Sequence, residues 1–190
     1  NLLLSAFRFI TDAECRQYIL RQAFEESLHN LTVVYICDSL DLDIDEVFTA
    51  YETIPSIKAK DDFLMSITND ISRQDFNSNS KEGKQEILRN FLTYWIVCEG
   101  TFFFSGFAML LALGRQNKLQ GISDQIKYTL RDETNHIAFG TYVINKIIEQ
   151  NPSVWTKKMQ NEFVEHIKKA VKLEIAYAHD VLPTGILGLN

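Results

Sequence analysis

Apolar residues recur at three- and four-residue intervals along nearly the whole chain, and no segment is rich in strand pattern. Turn signals divide this helical pattern. A first piece ends near Ile10. Thr11 and Glu14 then form a capping box, and an amphipathic stretch follows to about Leu40. Asp43 and Glu46 open a short helix, and Pro55, which suits a first helical turn, opens another to about Arg73. Gln74 to Gly83, rich in amides, Ser and Gly, is the main loop. Helix resumes from about Lys84 to Arg115. Ser123 caps a helix to about Gln150, Asn151-Pro152-Ser153 breaks it, and a last helix runs from Thr156 to about Val181, ahead of Pro183. The expected fold is all-α, a helical bundle in one domain over residues 1–190.

Composition narrows this reading. The 190 residues are 46% hydrophobic with 8 Gly and 3 Pro, enough for one sizeable core. A net charge of −6, with no Lys/Arg cluster, argues against a general nucleic-acid binder. There is no signal-peptide pattern and no run of 18 apolar residues; Phe102 to Leu113 is too short to span a bilayer. Cys15, Cys37 and Cys98 are odd in number and widely spaced, which fits reduced thiols and a cytoplasmic location. The chain opens on Leu2-Leu3-Leu4 and closes on Gly185 to Asn190, so truncation at both ends is expected.

Two short motifs carry the chemistry. Glu26-Ser27-Leu28-His29 and Glu133-Thr134-Asn135-His136 both read Glu-x-x-His. Three helical residues turn about 300°, so each Glu and His project from nearly one face, one turn apart. Glu99 is a further carboxylate on an apolar helix with no Lys or Arg within a turn, so if buried it needs a partner. Together these are most of the ligands of a dinuclear metal site in a four-helix bundle. Their mix of carboxylate and imidazole suits iron or manganese. Asp132 points about 100° from Glu133 and is placed to accept the N–H of a ligand His. Glu25, His166 and His179 read as solvent-facing.

With those motifs placed, the sequence resembles the small, radical-generating subunit of class I ribonucleotide reductase. The matching stretches are Arg16-Gln17-Tyr18, Glu25 to His29, Ile54-Pro55-Ser56, Tyr94 to Phe107, Arg131 to His136, and Leu182 to Asn190. The resemblance implies a ferritin-like, homodimeric protein. Glu26 and His29 would bind one metal, Glu99, Glu133 and His136 the other, with Glu26 and Glu133 bridging. Asp132 matches the family's supporting acid. The metals would activate O2 and pass an oxidising equivalent to the large (alpha) catalytic subunit for deoxyribonucleotide synthesis.

Two departures from the family pattern matter. The family's first carboxylate ligand would lie just upstream of Asn1, so five of six ligands are present. The usual radical tyrosine stands four residues after the first His, where this chain has Val33. That resembles the tyrosine-less class Ic type, whose manganese–iron cluster itself stores the oxidising equivalent; di-iron is the other option. The rival readings are a ligand-binding manganese/iron oxidase of the same superfamily, which Tyr94 leaves open, and a non-redox, iron-storage-type bundle.

Overall fold

The structure, a computed structural model, describes residues 2–68 and 70–185. All regular elements among them are helical: α1 (Leu2–Phe9), α2 (Ala13–Ser39), α3 (Ile44–Phe48), α4 (Ala50–Thr53), α5 (Pro55–Ile67), α6 (Lys81–Phe91), a π-helix (Leu92–Glu99), α7 (Phe104–Arg115), α8 (Gln120–Gln150), a 3₁₀ turn (Pro152–Val154) and α9 (Lys157–Val181). The 31-residue α8 is the spine of the bundle, packed against α2, α6, the π-helix and α7, while α5 and α9 pair on the far side of the π-helix and α7.

Local chemistry sets most boundaries. α2 is capped by Asp12, not Thr11: its carboxylate accepts from the N–H of Cys15, three residues on, at 2.8 Å. Arg16 reaches back to the carbonyls of Ile10 and Phe7, which closes the end of α1. Asp43, Ser80 and Thr156 cap α3, α6 and α9. α5 stops at Ile67, short of the expected Arg73, and Asp70 accepts from the Ser72 backbone in a following turn. α8 begins at Gln120, so Ser123 lies inside its first turn instead of capping it.

The expected continuous helix from Lys84 to Arg115 is a composite. It starts at Lys81, widens into the π-helix, breaks near Phe102 and restarts as α7. The break exposes backbone groups that need partners. Lys60 of α5 donates to the Phe102 carbonyl at 2.7 Å and to Glu174 of α9 at 2.8 Å, and Glu174 accepts from the Ser105 N–H at 2.9 Å. This ion pair thus joins three helices at the point where the backbone is irregular.

The core centres on Trp95, fully buried and edge-on to Phe91, Tyr94 and Phe139 at ring separations of 5.0–5.8 Å. Gly140 of α8 admits it, because a Cβ there would overlap the indole. Residues 81–115 are the one helical stretch among those described that is long and apolar enough to cross a membrane. Here it is a bundle helix with buried Glu99 in its middle, which fits a core helix.

A candidate dinuclear metal centre

Three elements supply the site. α2 contributes Gln22, Glu25, Glu26 and His29; the π-helix contributes Tyr94, Trp95 and Glu99; α8 contributes Asp132, Glu133 and His136. The π-helix matters for the middle group. Residues five apart on an α-helix diverge by about 140°, whereas the i→i+5 ladder of a π-helix stacks them. Tyr94 and Glu99 therefore share a side.

Glu26 and Glu133 stand between the two histidines, and each turns one oxygen to each ring. Glu26 Oε2 and Glu133 Oε1 lie 3.5 and 3.2 Å from His29 Nδ1; Glu26 Oε1 and Glu133 Oε2 lie 3.5 and 3.4 Å from His136 Nδ1. Glu99 joins on the His136 side, where Glu26, Glu99, Glu133 and His136 bring ligand atoms within 4.8 Å of one another. The structure thus collects all five sequence-predicted ligands. The cluster is graded in depth: Glu99, Glu133 and His136 are buried, while the Glu26 side chain is 31% exposed.

The far nitrogens of the histidines are held crosswise. His29 Nε2 lies 3.4 Å from Asp132 of α8, and His136 Nε2 lies 3.1 Å from Glu25 of α2. The acid just before each motif glutamate supports the histidine on the opposite helix. Asp132 takes its expected place. Glu25, expected at the surface, is buried, paired to His136 and also to Arg21 at 2.7 Å. It does face away from Glu26 on its own helix, but the imidazole of α8 lies in that direction. The sequence signal was the repeat itself, acid-Glu-x-x-His in both motifs.

Whether this pocket fits metal can be tested on its own atoms. His29 Nδ1, His136 Nδ1, Glu99 Oε2 and Glu133 Oε2 are buried with no hydrogen-bond partner. Each Nε2 lies beside its acid, and each Nδ1 faces one oxygen of Glu26 and one of Glu133, so carboxylate oxygens crowd both rings. Such crowding of acceptors is unfavourable unless positive charge sits among them. The charge balance agrees. Burial opposes charge on His29, yet Glu133 and Glu26 outweigh it and push its pKa up to about 10. His136 is likewise raised, burial again being outweighed by Glu133 and Glu25. Burial, with Glu133 and Glu26 beside it, pushes Glu99 up to about 9. Burial also works against the charge of Glu26, but His29 and His136 hold it below the usual carboxylate range. The pocket is built for cations, and the donor set fits iron or manganese.

Further residues surround the cluster. The Tyr94 hydroxyl donates to Glu26 Oε1 at 3.2 Å; burial raises its pKa far above the usual phenol range, so it stays a neutral donor. Gln22, absent from the sequence reading, donates to Glu99 Oε1 at 2.9 Å. Val33, one helical turn past His29, is 39% exposed. His166 is not solvated either: it is half-buried, edge-on to Phe63 and Phe163, and burial lowers its pKa. His179 is exposed, as expected. Of the C-terminal matching stretch, residues 186–190 lie outside those described.

Known proteins give this geometry a context. The family model "Ribonucleotide reductase, small chain" matches residues 1–190. A ribonucleoside-diphosphate reductase subunit beta from Chlamydia pneumoniae is 53% identical over 190 residues, which cover all of this chain and 55% of that protein. The Treponema pallidum subunit beta is 27% identical, over 96% of this chain and 50% of its own length. The ribonucleotide reductase R2 subunit from Clostridium botulinum superposes with a TM-score of 0.85 at 26% identity, over 99% of this chain and 57% of that one. The chain thus spans about half the length of the curated relatives it matches. Along that whole span, it belongs to the small-chain family of ribonucleotide reductases.

Proposed function

We propose that this chain is the metal-bearing part of the small subunit of a class I ribonucleoside-diphosphate reductase, working as a homodimer with a large catalytic subunit in the cytoplasm. The observation that carries this reading is the set of four buried, unpartnered ligand atoms converging between two bridging glutamates. The names of the relatives support the activity, and the three free cysteines suit the compartment.

In this reading Glu26 and His29 would hold one ion and Glu99, Glu133 and His136 the other, with Glu26 and Glu133 available to both. When bound, a manganese–iron or di-iron pair supplies O2 activation and the oxidising equivalent used by the large subunit. The chain's own residues prepare the site. Asp132 and Glu25 accept the Nε2 protons of His29 and His136, which leaves both Nδ1 atoms free to ligate. Tyr94 orients Glu26 through one oxygen. Trp95, fully buried, packs behind Glu99 by way of Gln22 and helps exclude water from that side. Val33 stands where the radical tyrosine is usual, and this supports the manganese–iron, tyrosine-less form.

The test is to load the full-length protein with manganese and iron, count ions by anomalous scattering at both edges, and assay ribonucleotide reduction with a large subunit. The expected result is two ions per chain, activity that requires both metals, and no tyrosyl radical signal. Fewer than two ions, or no activity, would reject the proposal; a tyrosyl signal that tracks activity would reject the tyrosine-less form.

A further inference from the structure

Gln22 and Trp95 form a hydrogen-bonded chain that ends on Glu99. Gln22 sits on α2 one turn before Glu26 and is fully buried, as is Trp95. The indole N–H can only donate, and it reaches Gln22 Oε1 at 3.2 Å. The orientation of a glutamine amide is ordinarily ambiguous, but here the opposite flip would set the amide NH2 against the indole N–H, donor against donor. The indole therefore fixes the flip, and the amide NH2 must face Glu99. It donates to Glu99 Oε1 at 2.9 Å. Glu99 Oε2 has no hydrogen-bond partner and is buried. The two oxygens of this carboxylate are thus made unequal: one is tied to the protein and the other is buried without a hydrogen bond.

The chain is anchored at its far end as well. Gly140 lies one turn beyond His136 on α8, and its missing Cβ is what lets the indole seat. Three metal-site elements are linked in one path, from α8 through Trp95 of the π-helix to Gln22 of α2 and back to Glu99.

We propose that Gln22, oriented by Trp95, is a positioning residue that makes Glu99 a single-oxygen ligand, presenting Oε2 to the metal and holding Oε1 back. This inference rests on the cluster's being a metal site. It implies that carboxylate mode at the inner ion is set by a residue that touches no metal.

The direct test needs no variant. A crystal structure of the metal-loaded, full-length protein is expected to show Glu99 bound through Oε2 alone, with Gln22 still on Oε1. Glu99 bound through both oxygens, or a Gln22 amide turned away from it, would overturn the proposal. Gln22→Met, similar in length but without donors, supplies the second arm. In manganese and iron titrations it is expected to weaken one of the two ions by about 10–100-fold, the usual loss for a residue supporting a ligand, and to free Glu99 to rotate in the loaded crystal. A merely structural role would lower the unfolding temperature but leave Glu99's binding mode and both affinities unchanged, and that result would also overturn the proposal. Failure of the unsubstituted protein to bind two ions would instead count against the metal-site reading itself.

Discussion

Gly140 and Gly106 offer one substitution with two opposite outcomes. Both lie inside helices, α8 and α7. In an open helical position, Gly→Ala stabilises by about 0.5–1 kcal/mol, because alanine loses less backbone entropy on folding. Gly106 meets that condition: a Cβ there has nothing within 4 Å. At Gly140 the same Cβ would overlap the Cγ, Cδ2 and Cβ atoms of Trp95. Those atoms belong to a fully buried side chain packed against Phe91, Tyr94 and Phe139, so the ring has no free direction to move. Overpacking of this kind costs about 1–3 kcal/mol and sometimes more. Gly106→Ala is therefore expected to be more stable than the parent, and Gly140→Ala less stable. The gap between the two variants should be about 1.5–4 kcal/mol, or roughly 3–16 °C in unfolding temperature for a chain of this size. Urea unfolding followed by tryptophan fluorescence measures the difference, and Trp95 itself should report a changed environment in Gly140→Ala. Equal stability of the two variants, or greater stability for Gly140→Ala, would refute the account of Trp95 as a rigid core element.

Two other outcomes follow from the same contacts. Glu25→Gln and Asp132→Asn weaken the acceptors that hold His136 and His29, so each is expected to lower affinity for one ion by about 10–100-fold in a manganese titration while helicity by circular dichroism is unchanged; unaltered binding in both would show that the crosswise support is idle. At the far side of the bundle, the hydrogen bond from Arg89, at 2.6 Å, holds the Glu162 carboxyl below its usual pKa. A depressed folded-state pKa contributes stability that is complete above the unfolded value of about 4.3 and is lost as pH falls through the folded value. The stability difference between the parent and Glu162→Gln should thus be present at pH 6 and shrink below about pH 4.3; a difference that grows on acidification would contradict the assignment.

Much of the fold and half of the site were legible because they depend on local geometry. Helical spacing alone puts Glu26 with His29, and Glu133 with His136, on shared faces. Glu99 stood out because an acid in an apolar run requires a partner. The breaks at Ile10, near Leu40 and at Pro152 follow from caps and from proline, which act within a few residues. The rest depended on what lies across the bundle. Glu25 looked like surface because its own helix turns it away from Glu26; only the packing of α8 on α2 puts His136 in its path. Gln22 carries no sequence mark at all, and its role exists because Trp95 arrives from another element to fix its amide. The π-helix was not legible, since the spacing of apolar residues in this stretch reads as ordinary helix and the i→i+5 ladder that aligns Tyr94 with Glu99 leaves no mark in residue type. Val33 shows the limit from the other side: helical spacing sets it one turn past His29, but whether a position is covered is decided by the element that packs there, and Val33 is 39% exposed. Periodicity determines which side chains can act together; tertiary packing determines what they meet.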